Sequence, residues 1–344
     1  MAKVAVVILN WNGKKFLEEF LPSVVKHNPD FSEIIIADNA SSDDSISFLQ
    51  KNHPSLRIIR NASNGGFAKG YNDALVQVEA DYFVLLNSDV EVTAGWIEPV
   101  IAMMDKDNSI AAVQPKILSF HHKDEFEYAG AAGGFIDKNG YAFCRGRIFE
   151  TVEKDEGQYN GDAEIFWATG ACLFVRASAW KEMKGLDADF FAHQEEIDLC
   201  WRFNNRGYKI MYCSSSKIYH VGGGTLAKVN PQKTYLNFRN NLILMLKNKK
   251  GPFLFFRIFW RMCLDFIAGM KFLFAGEVSH FWAVQRGHFG FYARIPATLK
   301  KRSALKKNIN HYATKGIYRG NIVADYFLRG KKKFTDLDAS KFAN

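Results

Sequence analysis

Four short polar clusters each follow an apolar run: Asn10 to Gly13, Asp38 to Asp43, Asn64 to Asn72, and Asn87-Ser88-Asp89. A fifth, Glu195-Glu196-Ile197-Asp198, stands between Phe190-Phe191 and Trp201-Arg202. A carboxylate or amide can pair with the edge of a nucleotide base, and a carboxylate can hold a hard divalent cation, which takes oxygen ligands. Acids set among aromatic residues have their pKa raised toward that of a useful general base. Each cluster alone also reads as ordinary turn and cap chemistry; Asp38 can simply cap the helix after it, and acids favour helix starts. Gly65-Gly66 lacks both the Lys-Ser/Thr of a P-loop and the full glycine pattern of a dinucleotide fold. Placement gives the set its weight, because ligands of open α/β sheets bind at the carboxyl ends of strands.

The elements that must position these clusters are legible in the periodicity. Short β-rich runs at 4–9, 34–37, 56–59, 82–86 and 111–114 alternate with amphipathic stretches, the pattern of βαβ units around a mostly parallel sheet. Phe16, Leu17, Phe20, Leu21, Val24 and Val25 recur at helical spacing, and a helix over 43–52 follows a Ser-Ser-Asp-Asp start. Another helix begins near Phe67. Residues 119–162 weaken into Gly-, Asp- and Lys-rich sequence, read as long loops or a hairpin excursion. Order returns at 165–176, a strand interrupted at Thr169-Gly170, followed by helices over 179–183 and 196–205.

The 344 residues suffice for one large domain with an appendage or for two modest ones. Five scattered cysteines with no Cys-x-x-Cys spacing suggest neither a disulfide framework nor a zinc site, which favours a reducing cytoplasm. The apolar run after Met1 is too short for a secretory signal or a spanning helix. The net charge of +9 is uneven: residues 1–230 carry 23 Lys+Arg against 31 Asp+Glu, and residues 231–344 carry 22 against 5. That asymmetry points to chemistry in the first part and attraction to something anionic in the second.

In their order along residues 4–225, the clusters resemble the inverting family 2 glycosyltransferases of the GT-A fold, in particular the rhamnosyltransferase-like branch. The resemblance implies a Rossmann-like mixed sheet flanked by helices, with a catalytic nucleotide-sugar-binding domain over 1–240 and a helical, basic, hydrophobic extension over 241–344. It implies a nucleotide pocket lined by Leu9, Asn10 and Asn12, with Asp38 reading a uracil or thymine base beside Asn39. Asn64, Gly65 and Asn72 would flank the phosphates. Asn87-Ser88-Asp89 corresponds to the family's D-x-D element, which coordinates Mg²⁺ or Mn²⁺ on the diphosphate; the first carboxylate is replaced, leaving Asp89 as the charged ligand and Asn87 and Ser88 beside the nucleotide. The acidic block at 195–202 resembles the segment bearing the family's base, which maps to Glu196 with Glu195 as second choice. His220, in Tyr219-His220-Val221-Gly222-Gly223-Gly224-Thr225, corresponds to the histidine that completes the metal site. Trp167-Ala168-Thr169-Gly170 matches the segment that lines the acceptor pocket, Trp167 either stacking on a sugar ring or filling core. Asp198 and Arg202, four apart on a helix, read as a supporting ion pair.

The activity so implied is transfer, with inversion, from a UDP- or dTDP-sugar, dTDP-rhamnose among them, to a cell-surface glycan or lipid-linked acceptor. Residues 252–276 are nearly all aromatic or aliphatic, but four charges count against free spanning. An interfacial helix fits better, and with the lysine and arginine clusters it implies peripheral association with an anionic membrane on its cytoplasmic face. Solvated basic helices or a homodimer contact are the alternatives. The basic end also suits nucleic acid, but no nucleic-acid module is recognisable. A nucleotidyltransferase would not call for the acidic block or His220, and the altered Asn87 and Glu196 leave an inactive glycan- or nucleotide-binding relative as a further alternative.

Overall fold

The computed structural model describes residues 2–222, 230–307, 309 and 315–343. Gly223, Gly224 and Thr225 of the histidine motif lie outside these residues. The chain opens with β1 (Val4–Asn10), α1 (Lys14–Lys26), β2 (Ser32–Asp38), α2 (Ser45–Asn52), β3 (Arg57–Arg60), α3 (Gly66–Leu75), β4 (Tyr82–Asn87), β5 (Val90–Val92), α4 (Glu98–Lys106) and β6 (Ile110–Ser119). β3, β2, β1 and β4 lie side by side and parallel, in a register that pairs Asn10 with Asp38 and Leu9 with Asn87. Parallel strands in that register end together, so clusters 28 and 77 residues along the chain from Asn10 are delivered to one edge. β1 is buried on both faces, as a central parallel strand covered by two helical layers must be. Val4, Val6 and Ile8 pack into one core layer and Ala5 and Val7 into the other.

The rest comprises β7 (Gly134–Asp137), β8 (Ala142–Cys144), β9 (Arg147–Ile148), β10 (Thr151–Val152), β11 (Ala163–Ile165), β12 (Cys172–Arg176), α5 (Ala177–Met183), α6 (Glu195–Arg206), β13 (Lys209–His220), α7 (Pro231–Asn248), α8 (Leu254–Phe274), α9 (Val278–Lys306), β14 (Ile317–Tyr318) and α10 (Ile322–Phe327). β12 inserts antiparallel between β4 and β6, and β13 runs parallel to β6 beyond it. The sheet order is therefore β11-β13-β6-β12-β4-β1-β2-β3, with β5 pairing the end of β13. Residues 119–162, read as loops or a hairpin, contain a small meander of β7 to β10.

The division expected at residues 240 and 241 falls inside α7. Leu242 to Leu246 are buried all round that helix and share a core with α6 and β12, as befits a helix apolar on every side. A buried ionic knot reinforces the contact: Lys247 Nζ lies 2.8 Å from Asp198 Oδ2 and 2.6 Å from Asp187 Oδ2, and Asn248 donates to Asp198 at 2.8 Å. The end of the chain then returns to the meander, where β14 adds parallel to β7. Phe334 and Phe342 stack there among Phe135, Phe143 and Tyr318.

Helix α8 is inside out. Its charged Arg261 and Asp265 are buried and paired at 2.8 Å, while Phe255, Phe256, Phe259, Phe266, Ile267 and Phe274 are exposed. Among the described residues no helix is long and apolar enough to cross a membrane.

Candidate active site

The first wall of the site is the pair of turns after β1 and β2. Asn10 is fully buried and donates to Asp38 Oδ1 at 3.2 Å and to Ser41 Oγ at 3.1 Å. Asn12 takes a left-handed backbone, φ 52°, a conformation Asn tolerates better than most residues. Its Oδ1 there accepts from the backbone N–H of Ser42 at 2.7 Å and of Asp43 at 3.2 Å. The two turns are thus knitted into one surface, with Asp38 at its base. Asn10 Oδ1 is buried and has no protein partner, whereas buried polar atoms are nearly always paired.

The glycine-rich entry to α3 forms the second wall. Asn39 donates to Asn64 Oδ1 at 2.9 Å, Asn64 Oδ1 accepts also from Gly66 N at 2.9 Å, and Asn61 donates to Asn39 Oδ1 at 3.1 Å. Asn61 is buried and was not foreseen; the only signal was its place just after β3. Gly70 lets α3 approach the strand ends, because a Cβ there would lie 2.9 Å from Leu9 and 3.1 Å from Asn39. Gly65 is the N-cap residue of α3. Asn72 stands apart: both ends of its amide bond the backbone of Leu186, at 2.8 and 2.9 Å.

The third wall joins β4 to the end of β13. Because β5 pairs with β13, His220 comes opposite Val90, and its Nε2 sits 3.2 Å from Asp89 Oδ1 and 3.4 Å from Asn87 Nδ2. On the other side of the ring, Nδ1 faces Glu127 Oε1 at 3.5 Å. Burial alone would lower the imidazole pKa, but the charges of Asp89 and Glu127 override it and push it up to about 10. Ser88 is nearby: a Cβ placed on Gly13 would lie 3.6 Å from its hydroxyl and 2.6 Å from Asn10 Oδ1. Sequence reasoning missed Glu127, which sits 93 residues from His220 in a stretch with no readable pattern.

Among the described residues no three His, Cys, Asp or Glu side chains are grouped to hold a metal by themselves. The donor set nonetheless suits one on a diphosphate. Asp89 and His220 Nε2 offer one hard oxygen and one imidazole, phosphate oxygens can complete the shell, and a carboxylate behind the other ring nitrogen is the usual support of a metal-bound histidine.

Glu195 and Glu196 begin α6, on the fourth wall. The turn before it is strained, with Phe191, His193 and Gln194 all at positive φ, 65°, 68° and 72°. Non-glycine residues hold such conformations only where the surroundings over-determine them. α7 does so here: Asn240 Nδ2 lies within 3.0 Å of the carbonyls of Phe190, Ala192 and His193, and Arg239 Nη2 donates to those of Asp189 and Phe190. Neither clamp residue was anticipated.

The strain fixes two carboxyls in an unfavourable place for charge. Glu195 is buried, Glu196 half-buried, and the Oε2 of each lacks a protein partner. Burial pushes Glu196 up to about 7, and burial followed by the neighbouring Glu196 charge raises Glu195 well above the usual carboxylate range. His193 beside them is held neutral, burial lowering it to about 4. Asp198 is otherwise engaged: Arg202 Nε meets it at 2.8 Å and Lys247 at 2.8 Å, so the pairing read from the i, i+4 spacing is present and reinforced.

Gly170 faces this wall. A Cβ there would touch Phe67 at 3.1 Å and lie 3.9 Å from Glu196 Cβ. Trp167 lies in the core: its indole donates to Phe135 O at 2.8 Å and is packed under Gly134, leaving only 3% of the residue exposed and almost no ring surface for a sugar.

A family model described as Glycosyl transferase family 2 matches residues 5–182. The chain is 24% identical over 233 residues to the N-acetylglucosaminyl-diphospho-decaprenol L-rhamnosyltransferase of Mycobacterium tuberculosis, covering 62% of this chain and 75% of that one. Among solved structures, S. aureus TarS 1-349 in complex with UDP aligns at a TM-score of 0.52 and 17% identity, covering 96% of this chain and 92% of that one. GalNAc-T7 with UDP, GalNAc and Mn²⁺ aligns at a TM-score of 0.57 and 15% identity over 72% of this chain and about half, 48%, of its own length. At these identities the structural likenesses show the fold, which is GT-A.

Proposed function

The chain belongs to glycosyl transferase family 2, and from that premise we propose that it transfers a sugar from a UDP- or dTDP-sugar, dTDP-rhamnose included, with inversion, to a glycan or lipid-linked acceptor. One observation carries the proposal most directly. Four groups of residues form one cluster at the carboxyl ends of β1, β2 and β4 and the start of α3: Asn10 and Asp38, the Asn64 entry to α3, Asp89 with His220, and Glu196 near Gly170 and Phe67. Several of its buried polar atoms, Asn10 Oδ1 and the Oε2 of Glu195 and Glu196, have no protein partner.

Asp38 would read a pyrimidine base, with Asn10 holding its carboxylate, Leu9 lining the same pocket and the Asn39 network fixing the turn. Asp89 and His220 would hold Mg²⁺ or Mn²⁺, and Glu127 would set the ring so that Nε2 faces the site. A bound divalent cation would offset the charge that builds on the departing diphosphate. Glu196 is the base: its carboxylate takes the proton from the acceptor hydroxyl as the oxygen bonds the anomeric carbon and the bond to the diphosphate breaks on the opposite face. A base with a pKa of about 7 is matched to that duty at neutral pH. Burial and then the neighbouring Glu196 charge raise Glu195 well above the usual carboxylate range, which favours its neutral form beside an ionised Glu196. The dominant charge of residues 231–344 and the outward aromatic face of α8 support work at an anionic membrane surface, on its cytoplasmic side.

The test is nucleotide release from a panel of UDP-, dTDP- and GDP-sugars, with Mn²⁺ or with chelator, in the presence of lipid-linked and free glycan acceptors. The expected result is metal-dependent release confined to pyrimidine donors. Equal release from GDP-sugars, or release indifferent to chelator, would overturn the donor or the metal assignment respectively.

A further inference from the structure

The inside-out α8 and the face of α9 beside it carry a second site. Thirteen of the nineteen large apolar side chains exposed among the described residues lie between Phe253 and Leu299, a concentration too local to be ordinary surface scatter. Five of them, Phe255, Phe259, Phe266, Ile267 and Tyr292, help wall a groove of about 670 Å³ together with Met262 and Phe291. That volume falls in the range of roughly 300 to 1,000 Å³ typical of small-ligand sites.

The groove continues past Phe255 into a second depression of about 330 Å³, where Pro252 and Leu299 face Arg302, Ser303 and Lys306. In this notch Arg302 is held from below, Nη1 donating to the carbonyls of Leu246 at 2.9 Å and Lys247 at 3.3 Å, while Ser303 and Lys306 stand exposed at its rim. One end is thus cationic with a hydroxyl, the other almost wholly apolar, and Phe255 lines both. Residues 250–307 contain 11 Lys+Arg against 2 Asp+Glu, which disfavours a second copy of the same cationic face and favours an anionic occupant.

We propose that notch and groove together hold one anionic phospholipid of a membrane surface, its phosphate against Arg302, Ser303 and Lys306 and one acyl chain along the groove. The site rests on the peripheral-membrane reading above and sharpens it from general attraction to recognition of a single lipid. The exposed aromatic side chains around the groove would enter the headgroup and acyl boundary, as interfacial helices do.

The experiment uses the full chain and short-chain lipids below their micelle concentration, read by intrinsic tryptophan fluorescence, to which the exposed Trp260 of α8 contributes. Dihexanoyl-phosphatidylglycerol should bind at least about fivefold more tightly than dihexanoyl-phosphatidylcholine, the effect of roughly one well-placed basic side chain. Lys306→Glu should erase that preference, and Phe259→Ser with Phe266→Ser, both exposed positions, should weaken both lipids. Equal affinity for the two lipids would overturn the proposal. So would inorganic phosphate alone binding as well as the anionic lipid, which would make the notch a free-phosphate site, or light scattering that shows a dimer which lipid does not dissociate. Pelleting with phosphatidylglycerol vesicles, run in parallel, separates the two levels: pelleting without lipid discrimination leaves membrane association standing and removes the site. Metal-dependent nucleotide-sugar binding, measured on Lys306→Glu, is unchanged if the transferase reading alone is sound.

Discussion

Replacing Glu196 by Gln keeps the size and hydrogen bonding of the side chain and removes its capacity to take a proton. Burial holds the carboxyl at about 7 against an ordinary 4.5, so the folded protein binds a proton there more tightly than the unfolded chain. The folded state carries more protons between those two values, and stability therefore falls as pH rises through the window. A displacement of that size corresponds to about 3 kcal/mol, fully expressed above pH 7 and absent below about 4.5. Glu196→Gln should then unfold at higher urea than wild type at pH 8, by up to about that amount, and at nearly the same urea at pH 4.5. Turnover should move oppositely: wild-type activity rises with pH through about 7 as the base ionises, and the variant loses about 10² to 10⁴-fold. Donor affinity by calorimetry should survive, since the residue acts on the acceptor. Near-normal turnover in Glu196→Gln, or an unchanged pH dependence of its stability, would place the base elsewhere in the block.

Asp89→Ala should abolish the Mn²⁺-dependent part of nucleotide-sugar binding in calorimetry while leaving metal-free nucleotide affinity in place. Glu127→Gln should weaken metal affinity about 10- to 100-fold, as loss of a carboxylate behind a ligand histidine does, and Mn²⁺ titration followed by electron paramagnetic resonance reads this without turnover. Asn240→Ala leaves the carbonyls of the strained turn short of a buried donor; a loss of about 1 to 3 kcal/mol in urea unfolding and a fall in kcat larger than any change in donor affinity are expected. Asp198→Asn removes the buried carboxylate shared by Arg202 and Lys247, although Lys247 keeps Asp187, and should cost up to about 3 kcal/mol of stability in the same assay.

Much of this was legible along the chain because it rests on local chemistry. The runs that became β1, β2 and β4 alternate with helices in the order a parallel sheet requires, so Asn10, Asp38 and Asn87 reach one edge by topology alone. The acidic start of α6 and the Asp198–Arg202 pair follow from helical spacing over a few residues. The rest depended on contacts between segments remote in sequence. Glu127 meets His220 only because β13 turns its end toward β5 and lies against β6. Asn240 and Arg239 clamp the turn before Glu195 only because α7 packs on α6, which also places the boundary expected at residue 240 inside a buried helix. Trp167 occupies core because Gly134 leaves room for its indole, a fit no single segment announces. The sense of α8 was beyond one-dimensional reading for a further reason. Periodicity separates its aromatic face from its Arg261–Asp265 face, but which face turns inward is decided by the partners it meets. Tyr141 and Asn241 receive Arg261, which also pairs with Asp265, so the charged face turns inside and the phenylalanines are left outside.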